Sequence, residues 1–132
     1  MKFEQFLNIG KLIFAAVGGF LSYIFGGFDN LLNTLMLLMV LDYVSGITKA
    51  IYYKNLNSNI GFRGLLKKVM ILLVVVLVSV LQRAISGAVP LRDIVIMFYI
   101  ANEGISIIEN LGKVIPIPER VKQFFEQLQN KE

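Results

Sequence analysis

The chain contains neither cysteine nor histidine. Without cysteine there is no disulfide, no thiol nucleophile and no thiolate metal site. Without histidine there is no Ser–His–Asp triad and no imidazole ligand. Charge is also sparse: 17% of the 132 residues are Asp, Glu, Lys or Arg, against about 25% in an ordinary soluble domain. The glycines do not form the G-x-x-x-x-G-K-[ST] loop that cradles a nucleotide phosphate. Asp and Glu alone remain as acid–base groups, and the sequence outlines no substrate pocket around them. Neither an enzyme nor a resident cofactor or metal is expected. Nucleic-acid binding would need a basic face interleaved with aromatics, whereas the basic residues here stand at the ends of apolar runs.

Apolar residues are what the chain has in excess, at 56%. A soluble globule of this length would leave much of that surface wet. The expectation is an all-α, polytopic membrane protein that forms one membrane-embedded unit over residues 1–132. Four apolar segments are legible, at about 9–28, 31–53, 65–85 and 91–108. Each is near the roughly 17–25 residues that a helix needs to cross the hydrocarbon core. Runs such as 70–77 lack the two-residue alternation of a barrel strand. In lipid the backbone must bond to itself, so helices are predicted.

Connections are short: Asp29-Asn30, the segment 54–64 (KNLNSNIGFRG), and a turn around Ser86-Gly87 and Pro90. Lys2 and Lys11 precede an apolar stretch as in a signal peptide. No A-x-A-like cleavage site follows and a second span comes at once, so the first segment is expected to stay. With four crossings, eleven Lys and Arg residues fall on the side of the two termini and the central loop, including the loop residues Lys54, Arg63, Lys67 and Lys68. Arg83 and Arg92 fall on the other. Cytoplasmic loops carry the basic excess, which predicts both termini in the cytoplasm. A three-crossing arrangement, with the first or fourth segment lying in the interface, would break this asymmetry.

Several polar residues interrupt the spans. Asp42 lies near the midpoint of the second, where a carboxylate costs about 2.5–3.5 kcal/mol on insertion scales. Ser45 and Lys49 follow at i+3 and i+7 on the same face. Two readings fit: a stripe lining a pore or a helix contact, or a protonated Asp hydrogen-bonded to a neighbouring helix for structure alone. On the fourth segment Asn102, Glu103, Ser106, Glu109 and Asn110 form one polar face. Such a face meets water, another helix or a second copy of the chain, unless the segment lies flat at the interface. Ala15, Gly19, Ser22 and Gly26 make a small-residue stripe on the first segment, of the kind that lets helices approach closely. The third segment is apolar all round over 69–81 except Ser79, and is expected to be the most lipid-exposed.

The tail, 118–130, begins at Pro118, a favourable first helical position. Ile117, Val121, Phe124, Phe125 and Leu128 form its apolar stripe. Its charges balance, Glu119, Glu126 and Glu132 against Arg120, Lys122 and Lys131. Packing against the central loop or other subunits is therefore expected over lipid attachment.

These residues resemble a known family. Leu41-Asp42-Tyr43-Val44-Ser45-Gly46, the run from Ser58 to Lys68 (SNIGFRGLLKK), the run from Phe98 to Gly112 (FYIANEGISIIENLG) and Pro116-Ile117-Pro118-Glu119 are similar to phage holins of the toxin secretion/phage lysis type. The similarity runs from about Leu31 to Leu128. It implies that Asp42, Gly46, Arg63, Gly64, Asn102, Glu103, Ser106, Glu109 and Asn110 are motif residues, with Gly46 at a helix contact. It also implies a role: holins gather in the host cytoplasmic membrane and oligomerise into lesions through which an endolysin, or a toxin in related systems, crosses. No direct binding to that cargo is implied; the partners are the lipid bilayer and further copies of the chain. The tail departs from the usual holin pattern, being amphipathic and charge-balanced instead of short and basic.

The resulting expectation is that the polar stripes bury each other between copies, because one copy has too few helices to hide Asp42, Glu103 and Glu109. Interhelical polar contacts contribute only about 0.6–2 kcal/mol each, so assembly would need many copies. A selective ion channel or small transporter, and a non-conducting membrane scaffold, are the rival readings.

Overall fold

The computed structural model describes residues 2–85 and 89–130. The Ser86-Gly87 turn, Lys131 and Glu132 lie outside the described residues. The described chain is helical, with α1 over Lys2–Phe25, α2 over Asn30–Tyr52, α3 over Ser58–Ala84, α4 over Leu91–Gly112 and α5 over Glu119–Asn130. The first four are long and apolar enough to cross a membrane. At 1.5 Å per residue they measure about 33–40 Å, against roughly 30 Å of hydrocarbon.

Three helices differ in their boundaries from the sequence expectation. α1 begins at Lys2 and ends at Phe25, so the polar start of the chain is already helical. Its end is a Schellman turn: Gly27 N–H bonds to the Ser22 carbonyl at 2.7 Å and Gly26 N–H to that of Tyr23 at 3.3 Å. Gly26 and Gly27 have φ of +76° and +99°, which glycine adopts without the Cβ clash other residues suffer. Gly26 is thus part of the turn and not of a helical stripe. α3 begins at Ser58, inside the stretch read as a loop. The Asn57 side chain accepts the Ile60 N–H at 2.9 Å and starts the helix. Asn, Ser and Gly in this stretch look like loop residues, but Gly61 and Gly64 instead make room on α3 for the Tyr43 ring of α2. α4 continues to Gly112, a full turn past the expected end.

α4 lies between α2 and α3 and packs most extensively against α2. The core joins Leu32, Leu35 and Met39 of α2, Val75 of α3, and Ile96 and Ile100 of α4. α2 and α3 touch only sparsely. α1 packs along α3 and has no buried residue, while its last residue, Phe25, also reaches the core and Arg92 of α4. The most exposed span is therefore α1, and not the third segment. α3 instead contributes buried Val75, Val78 and Ser79.

α5 folds back on α4, where the expectation was the central loop or other subunits, so the central-loop contact is corrected. Pro116 and Pro118 end one helix and open the next, and Ile117 comes to rest near Gly112. The Phe125 ring fills the notch over Gly104, where a Cβ would collide with it. Gln129 Nε2 donates to Asn102 Oδ1 at 2.8 Å. Phe125 and Leu128 are half-buried, while Val121 and Phe124 stay exposed.

Candidate functional site

Asp42 on α2, Lys68 on α3 and Glu103 on α4 meet at the middle of the bundle. Lys68 Nζ donates to Asp42 Oδ2 and to Glu103 Oε2, each at 2.7 Å. The side chains are 14%, 15% and 7% exposed for Asp42, Lys68 and Glu103. One cation thus bridges two carboxylates and links three helices. Asn110 of α4 extends the network: its Nδ2 lies 3.2 Å from Asp42 Oδ1, 3.3 Å from the Asp42 carbonyl and 3.1 Å from Ser45 Oγ. Ser45 Oγ donates to the Asp42 carbonyl at 3.0 Å. Among the described residues no buried side-chain nitrogen or oxygen lacks a partner.

Two expectations are corrected here. The sequence pattern places Lys68 in a cytoplasmic loop with Lys54, Arg63 and Lys67. It lies instead on the inward face of α3, because that helix begins at Ser58, seven residues before the expected start of the third segment. Arg63 and Lys67 also stand on α3, while Lys54 follows α2 in the turn, with φ of +56°. The second correction concerns shelter. A single chain does hide Asp42 and Glu103, since Lys68 partners both.

The polar face of α4 is divided. Glu103, Ser106 and Asn110 line a cavity of about 610 Å³ with Asp42, Lys68 and Lys49. Asn102 turns to α5. Glu109 is exposed. Gly46 faces Asn110, whose Nδ2 lies 3.5 Å from where a Cβ would stand. On α1, Ala15 is exposed and open space stands over Gly19; Ser22 is half-buried beside the Schellman turn.

A second polar centre, not expected as a site, lies at one end of the bundle, where the turn after α1 meets the start of α4. Arg92, in the first turn of α4, is 6% exposed. Its Nε donates to the Phe25 carbonyl at 2.7 Å and its Nη2 to that of Gly27 at 2.9 Å. Its Nη1 reaches Asp29 Oδ2 at 2.8 Å and Asp93 Oδ1 at 3.3 Å. Ser79 Oγ also donates to the Phe25 carbonyl, at 3.1 Å, and Arg83 Nη1 donates to that of Tyr23, at 2.6 Å. These carbonyls belong to the end of α1 and its turn, and cations suit the negative end of a helix dipole. Asp29 serves twice, since it also caps α2 by accepting the Leu32 N–H at 3.0 Å. The Arg92 guanidinium holds the Asp29 carboxyl below its ordinary range. Gly26 is required here as well: a Cβ would stand 2.7 Å from Arg92 Nε. The only sequence signal for this centre was an Arg beside a predicted turn.

Among the described residues no cluster of Asp and Glu has the arrangement of a metal site. The charges are arranged to hold helices together.

Known proteins give this arrangement a context. A family model described as the bacteriophage holin family matches residues 19–130. A 14.9 kDa protein from the nagH 3′ region of Clostridium perfringens is 42% identical over 130 residues, covering 97% of this chain and 98% of that one. The YqxH protein of Bacillus subtilis is 32% identical over 126 residues, covering 95% and 86%. A protein of Bacillus phage phi105, named a probable holin, is 33% identical over 98 residues, covering 74% and 72%. No solved structure matches the chain. With its membrane-length helices and a family match over most of its length, the chain belongs to the bacteriophage holin family.

Proposed function

We propose that this chain acts without catalysis, by assembling with copies of itself in the bacterial cytoplasmic membrane. The assembly opens large, non-specific lesions that release an endolysin, or a toxin-like protein in related systems. Both termini and the 53–57 connection face the cytoplasm in this reading, because most Lys and Arg residues cluster at that end.

The observation that carries the reading is the isolation of α1. A membrane-length helix with no buried residue is tied to its own bundle only near its C-terminal end, through Tyr23, Phe25 and Gly27. Open space stands over Gly10, Gly18 and Gly19. Small residues on a free helical face favour close packing with another helix. A second copy supplies one without disturbing the paired charges at the centre.

Inducible expression in bacteria tests this, following membrane potential and lysis with and without a cytoplasmic endolysin. Collapse of potential, with lysis only when endolysin is present, supports the reading. Discrete ion-selective conductance without protein release would favour a channel, and an undisturbed potential a scaffold.

A further inference from the structure

We propose that the cavity between α2, α3 and α4 is a binding site for a phosphate group, presented by an anionic phospholipid headgroup. The cavity holds about 610 Å³, within the range of about 300–1,000 Å³ usual for small-molecule sites. It exists because α2 and α3 diverge on either side of α4, touching each other only sparsely. Asn55 and Leu56 of the 53–57 connection line its mouth, and Asp42, Lys68 and Glu103 lie deeper, at the level of the triad.

Its charge is unbalanced. Two carboxylates face four cations, and both carboxylates already belong to Lys68. Lys49 on α2 and Arg63 and Lys67 on α3 also line the cavity. Among the described residues none of these three has a carboxylate within ion-pair distance. Three cations converging at the edge of a membrane attract an anion, and a guanidinium fork matches phosphate oxygens. Basic pockets between membrane helices bind anionic headgroups for this reason.

The mouth favours lipid as the source. Leu56 and Ile60 line it and are about half exposed, so they offer apolar surface beside the cations, where acyl chains would lie. Free phosphate would use the cations and ignore that surface. The inference requires only that the chain sits in a bilayer, so its failure leaves lesion formation untouched.

The test uses full-length protein in detergent micelles, with native mass spectrometry reading the lipid retained from equal phosphatidylglycerol and phosphatidylcholine. Phosphatidylglycerol should be retained preferentially. Each lost cation should lower that preference about fivefold, so the Arg63→Gln/Lys67→Gln double variant should lower it about 25-fold. Lys49→Gln gives an independent reading should the double variant fail to fold, as circular dichroism would show. Lys54→Gln, outside the cavity, should retain the wild-type preference. Inorganic phosphate is added in a parallel arm, with chloride at matched ionic strength as control. Displacement of phosphatidylglycerol by phosphate but not by chloride supports the site and makes a soluble anion an equal occupant. No displacement, together with a preference lost in the variants, makes lipid the occupant. Equal retention of the two lipids by wild-type protein overturns the proposal, as does a preference unchanged in Lys49→Gln and the folded double variant.

Discussion

The bridging lysine offers the most direct test of how this bundle is held together. Lys68→Met keeps an unbranched apolar stem of similar reach and removes the ammonium. Asp42 and Glu103 each lose a contact of 2.7 Å. The losses are unequal. Asp42 keeps the Asn110 amide at 3.2 Å, whereas Lys68 is the one side-chain partner of Glu103 among the described residues' hydrogen bonds. Glu103 is also the less exposed of the two, at 7%. Breaking a buried pair by removing one partner costs roughly 3–5 kcal/mol, because the remaining charge is left uncompensated. The cost here should fall mainly on Glu103 and approach the upper half of that range.

The assay is reversible unfolding of the purified protein in mixed micelles by increasing detergent fraction, followed by far-UV circular dichroism. The comparison that isolates charge is the triple variant Asp42→Asn/Lys68→Met/Glu103→Gln. Neutral replacement of a whole buried network is often close to neutral in stability, so the triple variant should recover most of the loss. If Lys68→Met unfolds within about 0.5 kcal/mol of wild type, the size of an ordinary surface substitution, the bridge is not holding the helices. If the triple variant is as unstable as Lys68→Met, packing of the lysine stem is responsible and the electrostatic reasoning fails.

Three further outcomes are expected. Arg92 lowers the Asp29 carboxyl below its ordinary value of 3.8. A depressed folded value contributes stability above the unfolded value that is lost as pH falls through the folded one, so wild-type protein should weaken below about pH 3.8. Asp29→Asn should flatten this limb in a pH series of unfolding curves, and identical acid limbs would contradict the Arg92–Asp29 contact. Gly104→Val places a side chain where the Phe125 ring sits and should release α5, read as faster amide exchange over 119–130 with exchange in α2 unchanged; undiminished protection of α5 would refute its docking. Glu103→Gln leaves Asp42 as the one carboxylate on Lys68 and should shift the onset of lysis in cells that co-express an endolysin, and wild-type timing would count against a role for that charge.

The spans were legible because their apolar runs match the thickness of a bilayer, and the interruptions at Asp42 and at 102–110 were legible because carboxylates are costly there. What the sequence withheld was the pairing. Lys68 is 26 residues from Asp42 and 35 from Glu103, and periodicity gives the faces of a helix without saying which faces meet. Lys68 also borders a run of polar and glycine residues, so it read as a loop cation until the Asn57 cap placed it well inside α3. Arg92 was hidden for a similar reason. Its acceptors are mostly backbone carbonyls of the 25–27 turn, and backbone groups carry no sequence signature.

This difference changes the physics of the proposed assembly. If the acids were unpaired within one chain, their burial would drive association and charge neutralisation would weaken it. With both acids held by Lys68, association has little electrostatic shelter left to gain except at Glu109. What remains unsatisfied is packing: α1 has no buried residue and meets the core only through Phe25 at its end, and its glycines face open space. Lipid covers apolar surface as well as protein does, so only close van der Waals contact separates a neighbouring helix from the bilayer. Such contacts are weak singly and short in range. They accumulate only when many copies are crowded together, so under the proposed function protein density within the membrane would control lesion formation. Gly19→Leu should therefore delay lysis by blocking close approach while leaving the Asp42–Lys68–Glu103 bridge and the fold intact.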